Sequence, residues 1–284
     1  MIDFIRHRAL YFILSAVVIG SGLFSIATYG FRTSIDFTGG TILEYQVRKP
    51  IVESQLRSAL RAKNMPVQEL NYSSGKVFLR FHPLNTSQEK QVLAIVERQS
   101  EKVIVLRSET VGATLGKETI LKTVVAALVA IVGILAYMAF SFKGIKFAVA
   151  AIVALLHDLL VMVGGYALVS RFFGAELNTL FVTALLTTMS FSVHDTIIIF
   201  DKIREYRRSK IEEPDISANR ALTETLIRSI NNSMTILFMM LALILFGGST
   251  IRFFIVALLI GTITGTYSSP FIATPVWYLL EKKK

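Results

Sequence analysis

Six long apolar runs constrain the fold of this chain more than any other feature of its sequence. They cover approximately residues 9–30, 123–142, 145–170, 177–200, 230–246 and 253–280. A helix of about 20 apolar residues, rising about 1.5 Å per residue, crosses the ~30 Å hydrocarbon layer of a bilayer. Because 53% of the 284 residues are hydrophobic, a soluble domain is excluded. The sequence therefore predicts an α-helical polytopic membrane protein with six transmembrane helices.

Lysine and arginine predict the orientation of these helices. Basic residues cluster at the N-terminus, between the second and third runs, in segment 201–229 and at the C-terminus, whereas the opposite short links carry only Arg171 and Arg252. Short loops rich in Lys and Arg stay in the cytoplasm, so both termini are predicted to be cytoplasmic. The net charge of +10 reflects this bias. It favours the lipid bilayer as a partner and is no argument for nucleic acid.

The polar segment 31–122 is then extracytoplasmic, and its pattern is typical of a small folded domain. Strands are predicted at 41–47, 67–72, 76–81 and 103–106, and helices at 51–64 and 87–102. The turn Ser73-Ser74-Gly75 would join the two middle strands as a hairpin, and Ser87 would cap the second helix. The order β-α-β-β-α-β predicts an α+β, ferredoxin-like domain.

Three regions follow from these assignments. Residues 1–30 form the cytoplasmic N-terminus and first transmembrane helix, 31–122 the extracytoplasmic domain, and 123–284 helices two to six with a cytoplasmic link at 201–229. Within that link, 217–229 has helical spacing and either lies at the membrane interface or extends the fifth helix. In the sixth helix, Gly261 and Gly265 have the G-x-x-x-G spacing of close helix packing, and Pro270 and Pro275 predict a kink.

Two aspartates lie well inside the apolar runs, and each directly follows a histidine. The pairs are His157-Asp158 and His194-Asp195, and they contain half of the four histidines in the chain. An ionisable group in hydrocarbon is costly, so it usually faces a cavity or a partner and marks an ion or proton path. Asp158 is predicted about 18 Å from the cytoplasmic end of its helix, and Asp195 about 27 Å from the outer end of the next. This offset disfavours one shared carboxylate site.

The neighbours of these aspartates leave alternatives open. Arg228 precedes the fifth helix at the cytoplasmic edge, where it either pairs with Asp195 or extends to the lipid headgroups. A structural hydrogen bond between helices competes with a functional role, about evenly for Asp158 and less so for Asp195. Adjacent helical side chains point about 100° apart, so His157 with Asp158, and His194 with Asp195, are not expected to share one site. No metal site is therefore predicted.

Several motifs in fixed order resemble those of the SecF family, bacterial accessory subunits of the Sec translocase in the resistance–nodulation–division superfamily. The motifs are Asp36-Phe37-Thr38-Gly39-Gly40, the segment 111–118, His157-Asp158, the segment 195–205, Leu245-Phe246-Gly247-Gly248 and the segment 265–269. Each motif alone is weakly specific, but together they extend around all six predicted helices.

This resemblance implies a non-enzymatic subunit of the bacterial inner membrane. It implies SecD as a partner, association with the SecYEG channel, and use of the proton-motive force, with no other cofactor, to assist translocation of secreted polypeptides. It also implies that Asp195 and Arg228 lie on the proton path, with His194, His157 and Asp158 as supporting residues. The family usually has asparagine where this chain has His194.

Three other classes of protein remain as alternatives. A small-molecule or ion exporter of the same superfamily would usually have larger external domains and twelve helices. An intramembrane aspartyl protease needs two aspartates at one depth that share a proton, which the predicted offset of Asp158 and Asp195 disfavours. A purely structural scaffold leaves Asp195 unexplained.

Overall fold

The computed structural model describes residues 3–141, 144–209 and 213–282. It contains two compact units, Met1–Arg32 with Val125–Lys284, and Thr33–Val124. The described residues include six helices long and apolar enough to cross a membrane, which confirms the prediction of a polytopic helical membrane protein. Lys143, Lys210, Lys283 and Lys284, on which the predicted orientation partly depends, lie outside the described residues.

The first unit is a bundle of the spanning helices. Its elements are α1 (Arg8–Tyr29), the C-terminal part of α5 (Ala113–Ser141), α6 (Ile145–Phe173), α7 (Thr179–Ser209), α8 (Pro214–Phe246), α9 (Ser249–Ser268) and α10 (Thr274–Lys282), with α2 to α4 in the other unit. The spans α6 and α7 are the most buried, and α1, α5 and α8 expose most of their apolar surface. Segment 217–229 is part of the continuous helix α8 and therefore extends the fifth spanning helix.

Small residues allow the helices of the bundle to approach closely. A Cβ atom added to Gly22 on α1 would lie 2.5 Å from the Cα of Gly164 on α6. A Cβ atom on Gly261 of α9 would lie 2.4 Å from the Thr188 hydroxyl oxygen on α7, and one on Gly265 would lie 3.1 Å from the Ser192 Cβ. The packing role predicted for Gly261 and Gly265 is confirmed: a side chain at Gly261 would collide with Thr188, and one at Gly265 would be tightly packed against Ser192.

The sixth span is interrupted near its prolines. A π-helical turn, Ser269–Ala273, contains Pro270 and joins α9 to α10. Proline cannot donate to the helical hydrogen-bond ladder, and the Thr274 hydroxyl donates to the Ser269 carbonyl at 3.1 Å. The prolines thus accompany a local widening of the helix, and such turns occur often at functional sites.

The second unit is an antiparallel sheet packed against two helices. Its elements are α2 (Ile35–Thr38), β1 (Gly40–Gln46), α3 (Glu53–Arg61), β2 (Glu69–Ser73), β3 (Lys76–Phe81), α4 (Thr86–Gln99) and β4 (Ile104–Val111). The strand order is β2-β3-β1-β4, and every pair is antiparallel. Apolar side chains of β1, β3, α3 and α4 form the core, among them Tyr45, Leu56, Leu79 and Val96. Burial raises the pKa of the Tyr45 hydroxyl.

The predicted strands and helices of this unit occur in the predicted order, but the short helix α2 was not predicted and the bounds of several elements differ, most clearly for β4 and α4. Strand β4 continues to Val111 because it pairs with the whole of β1, from Gln46 to Gly40. The second half of β4 is mostly polar, so hydropathy did not predict it as a strand. Helix α4 begins earlier than predicted, so Ser87 is not its cap. Asn85 is the cap, because its side chain accepts from the Gln88 amide while the Gln88 side chain accepts from the Asn85 amide.

We expect Asn85→Ala to destabilise the first turn of α4 by about 1 kcal/mol, the usual loss for a removed cap. Amide hydrogen exchange in that turn of the full-length protein should become about fivefold faster. Ser87→Ala is the matched control, because Ser87 is exposed and does not cap the helix. A larger effect at Ser87 than at Asn85 would contradict this assignment.

Candidate functional site

Asp195 lies on α7 in a buried position between the spanning helices. Its residue surface is 9% exposed, and the Ser229 hydroxyl of α8 donates to its Oδ2 at 2.5 Å. Because Ser229 belongs to the segment that extends the fifth span, this contact depends on α8 being helical before its apolar run begins. The carboxylate therefore has a polar partner on the neighbouring helix.

A cavity of about 300 Å³ opens between α7 and α8 beside this carboxylate. It is lined by His194, Asp195, Ile198, Ile199, Thr225, Arg228, Ser229 and Asn232. Its polar lining and size are sufficient for several water molecules. Arg228 is exposed and faces the same cavity, but within the described part of the chain no ion pair shorter than 4.0 Å joins it to Asp195. The structure thus places the two residues at one cavity without a direct bond.

His194 borders several spaces around Asp195. It is exposed and lines the cavity shared with Arg228 as well as a groove of about 520 Å³ between α5 and α7. A smaller cavity of about 20 Å³ lies between His194, Asp195, Asn232 and Thr266. His194 is therefore common to the groove along α5 and to both cavities beside the carboxylate.

His157 and Asp158 on α6 are both buried, and they contact each other. The His157 Nδ1 lies 3.0 Å from the Asp158 Oδ1, so the expectation that the two adjacent side chains diverge is wrong. Nδ1 is the imidazole nitrogen nearer the backbone, and the Asp158 side chain is short. The two groups can therefore turn toward each other even though their Cβ atoms point in different directions. The other oxygen, Oδ2, accepts from the Ser268 hydroxyl at 2.7 Å and from the Ser192 hydroxyl.

Hydroxyl side chains extend this network over α1, α7 and α9. The His157 Nε2 is 2.9 Å from the Ser15 hydroxyl of α1, and the Ser269 and Thr196 hydroxyls are 2.8 Å apart. These serines and threonines were not predicted as site residues. A signal was present in α7, where Thr188, Ser192 and Thr196 follow one another at intervals of one helical turn; this spacing places hydroxyls on one face.

The two aspartates have different partners. Ser192, which donates to Asp158, precedes Asp195 by one turn, a rise of about 4.5 Å along α7. Asp195 contacts Ser229 on α8, whereas Asp158 contacts α9. Within residues 3–141, 144–209 and 213–282, no group of three or more His, Cys, Asp or Glu side chains has the arrangement of a metal site.

The motif Asp36-Phe37-Thr38-Gly39-Gly40 lies in the sheet unit and contacts the segment before the second span. Gly39 and Gly40 have positive φ angles of 70° and 139°. A Cβ atom on Gly39 would lie 2.8 Å from the Ala113 Cα, and one on Gly116 would lie 2.7 Å from the Gly39 nitrogen. Glycine is needed at Gly39 and at Gly116 because the backbones of the two segments touch. The motif Asp36-Phe37-Thr38-Gly39-Gly40 therefore has a structural role within its unit.

The fold and these contacts define a polytopic helical membrane protein with two carboxylates buried among its central spans. The family model described as "Protein export membrane protein SecD/SecF, C-terminal" matches residues 91–283, and the "SecD/SecF GG Motif" model matches residues 24–51. The chain belongs to the SecF family of protein translocase subunits, which confirms the resemblance read from its motifs.

Known relatives agree over the full length of the chain. The protein translocase subunit SecF of Thermobaculum terrenum is 38% identical and matches 100% of this chain and 95% of its own length. The SecF subunit of Anaerolinea thermophila is 34% identical and matches 99% of this chain and 94% of its own length. The crystal structure of SecDF from Thermus thermophilus matches with a TM-score of 0.86 at 30% identity; it covers 100% of this chain, which spans 39% of that SecDF chain.

Proposed function

We propose that this chain is a protein-export subunit that, with a SecD partner, uses the proton-motive force to assist translocation of polypeptides through a SecYEG channel. The observation that carries the proposal is Asp195, a buried carboxylate at a polar cavity between two spanning helices. A carboxylate in this position is expensive to keep as a structural element alone. Membership of the SecF family favours polypeptide export over small-molecule export and over peptide cleavage, so no enzymatic activity is proposed.

Asp195 and Arg228 would form the proton path of this export subunit. Water in the cavity between α7 and α8 would bring a proton to Asp195, whose charge the Ser229 hydroxyl and the nearby Arg228 guanidinium stabilise while it is ionised. Arg228 is not bonded to the carboxylate, so its long side chain is free to approach and withdraw. His194 would support exchange at this cavity, and the only cofactor required is the proton gradient.

Protonation of Asp195 would bias the extracytoplasmic domain between two arrangements, and this movement would help to pull or hold the emerging polypeptide. A ferredoxin-like fold of that domain is supported by the strand order β2-β3-β1-β4, with α3 and α4 as its two connecting helices.

A location in the bacterial inner membrane with both termini in the cytoplasm is part of the proposal. Glu281 near the end of α10 accepts from Lys146 at the start of α6 and from Arg207 at the end of α7. Asn219 near the start of α8 donates to Asp3. These contacts bring Asp3 and Glu281 to the same end of the bundle as the basic residues Lys146 and Arg207, which supports a shared cytoplasmic side. Hydrogen bonds from the Arg6 amide and from Asn219 lower the pKa of the Asp3 carboxyl.

The test is a translocation assay in membrane vesicles with and without this chain. We expect the chain to increase transport of a secreted reporter only while a proton gradient is present, so that a protonophore removes the increment. Vesicles that lack the chain are the control for direct effects of the protonophore. An increment that persists after collapse of the gradient would contradict proton-driven action.

A further inference from the structure

The His157–Asp158 pair has the features of a second proton-binding site in the bundle core. The two residues are 8% and 5% exposed, and they do not line the cavity at Asp195. Their partners come from α1, α7 and α9, so the pair joins the central helices. The proton path proposed at Asp195 and Arg228 does not include this pair.

The partners of Asp158 assign one hydrogen of the pair. The Ser192 and Ser268 hydroxyls both donate to Oδ2, and Oδ1 faces only the His157 Nδ1 among the described hydrogen bonds of this carboxyl. Two acceptors cannot face each other at 3.0 Å, so one hydrogen lies between Nδ1 and Oδ1. The protonation state of the pair is then decided at the other ring nitrogen, Nε2.

The hydroxyl of Ser15 can satisfy Nε2 in two ways. It lies 2.9 Å from Nε2 and 3.4 Å from the Tyr267 hydroxyl oxygen. The single Tyr267 hydrogen is donated to the Tyr11 carbonyl, so the Tyr267 oxygen can accept. When Ser15 donates to Nε2, the imidazole is neutral; when Ser15 donates to Tyr267, Nε2 carries its own hydrogen and donates to Ser15. Rotation of one hydroxyl therefore leaves neither Nε2 nor the Ser15 hydroxyl unpaired in either state.

We propose that the His157–Asp158 pair binds one exchangeable proton at the His157 Nε2, with the Ser15 hydroxyl rotating between Nε2 and Tyr267 as the proton enters or leaves. The proton comes from water and returns to water. The protonated pair is an imidazolium with a carboxylate and has no net charge, whereas the deprotonated pair carries one negative charge. The neutral pair avoids an uncompensated charge in the bundle core.

Among the described residues, three other ionisable groups lie near this pair. Tyr267 on α9 has its ring 6.1 Å from the imidazole, Tyr11 on α1 contacts the network through its carbonyl, and Asp195 on α7 lies one turn beyond Ser192. The inference deepens the proposed proton-driven function, because it assigns a second proton to the same bundle.

The experiment is ¹⁵N NMR of the full-length protein in lipid bilayers, with labelled histidine, between pH 5 and 9. His157→Gln identifies the signals of His157 among the four histidines. We expect two states of His157, an imidazolium at low pH and a neutral ring with hydrogen on Nδ1 at high pH. Asp158→Asn should abolish the imidazolium state. Ser15→Ala removes the partner of Nε2 in both states and should change the Nε2 signals of His157, whereas Ser21→Ala, on the exposed face of α1, should leave them unchanged.

A single neutral form of His157 across this range in the unaltered protein would overturn the inference, whatever the variants do. A midpoint that does not respond to Asp158→Asn, in a variant whose other histidine signals are unchanged, would also overturn it. The measurement needs neither a partner nor a transported polypeptide. Failure of the vesicle assay with a titrating His157 would therefore reject the proposed function alone, and the reverse result would reject only the second proton site.

Discussion

Asp195→Asn is expected to remove the whole gradient-dependent increment of polypeptide export, down to the level of vesicles without the chain. Asparagine has nearly the same shape, and its amide oxygen can still accept from the Ser229 hydroxyl, which now lies 2.5 Å from the Asp195 Oδ2. The amide cannot take up and release a proton at neutral pH. The variant should therefore fold and assemble normally while losing only the part of transport that depends on the gradient.

Asp201→Asn is the matched control, because Asp201 lies on the same helix, is exposed and pairs with Arg204 at the surface. We expect its export to equal that of the unaltered protein, since exposed pairs contribute little. The amount of each variant in the membrane and its thermal stability in detergent are measured in parallel. Full gradient-dependent export by correctly assembled Asp195→Asn protein would rule out Asp195 as the proton-binding residue.

Gly261→Leu is expected to cause a large loss of stability in the bundle. A Cβ atom at Gly261 would lie 2.4 Å from the Oγ1 and 2.5 Å from the Cβ of Thr188, and leucine adds three more carbons. Overpacking of this kind costs about 3 kcal/mol, because α9 must move away from α7. The separation would also disturb Ser192 and Ser268, which hold Asp158 between these helices.

The measurement is the fraction of protein that stays monodisperse in detergent after heating, together with its accumulation in membranes. Gly133→Leu is the control, because it makes the same change in the spanning helix α5, where nothing lies within 4 Å of an added Cβ. Both substitutions increase helix propensity equally, so the difference between them isolates the helix contact. Equal melting temperatures of the two variants would show that α7 and α9 do not pack this closely.

The sequence predicted the elements of this chain well because their signals are local. An apolar run of about 20 residues is sufficient for a spanning helix, whatever its neighbours are. The order of strands and helices in the sheet unit follows from periodicity and turn residues in the same way, as at Ser74 and Gly75, whose positive φ angles of 52° and 75° form the hairpin turn. Even there, the sequence predicted Ser87 as the cap of α4, whereas Asn85 caps it through reciprocal hydrogen bonds with Gln88.

The candidate site was predictable only in part. Asp158 and Asp195 were identified because a carboxylate within an apolar run can be recognised from the sequence alone. Ser229, Ser192 and Ser268 were not identified, because serine is common in membrane helices and its role depends on what it faces. The contact between His157 and Asp158 was wrongly excluded, because ideal helix geometry describes the directions of Cβ atoms and not the rotamers that burial selects.

By itself, the sequence determined the class of protein, the six spans, the order of the sheet elements and the presence of two carboxylates at membrane depth. These properties depend on hydropathy and periodicity along a single segment. Only the tertiary structure decided which side chains meet: Asp195 with Ser229 and not directly with Arg228, and Asp158 with His157, Ser192 and Ser268. The physical reason is that these partners depend on the rotation and separation of whole helices, which contacts such as Gly22 with Gly164 set from distant parts of the chain.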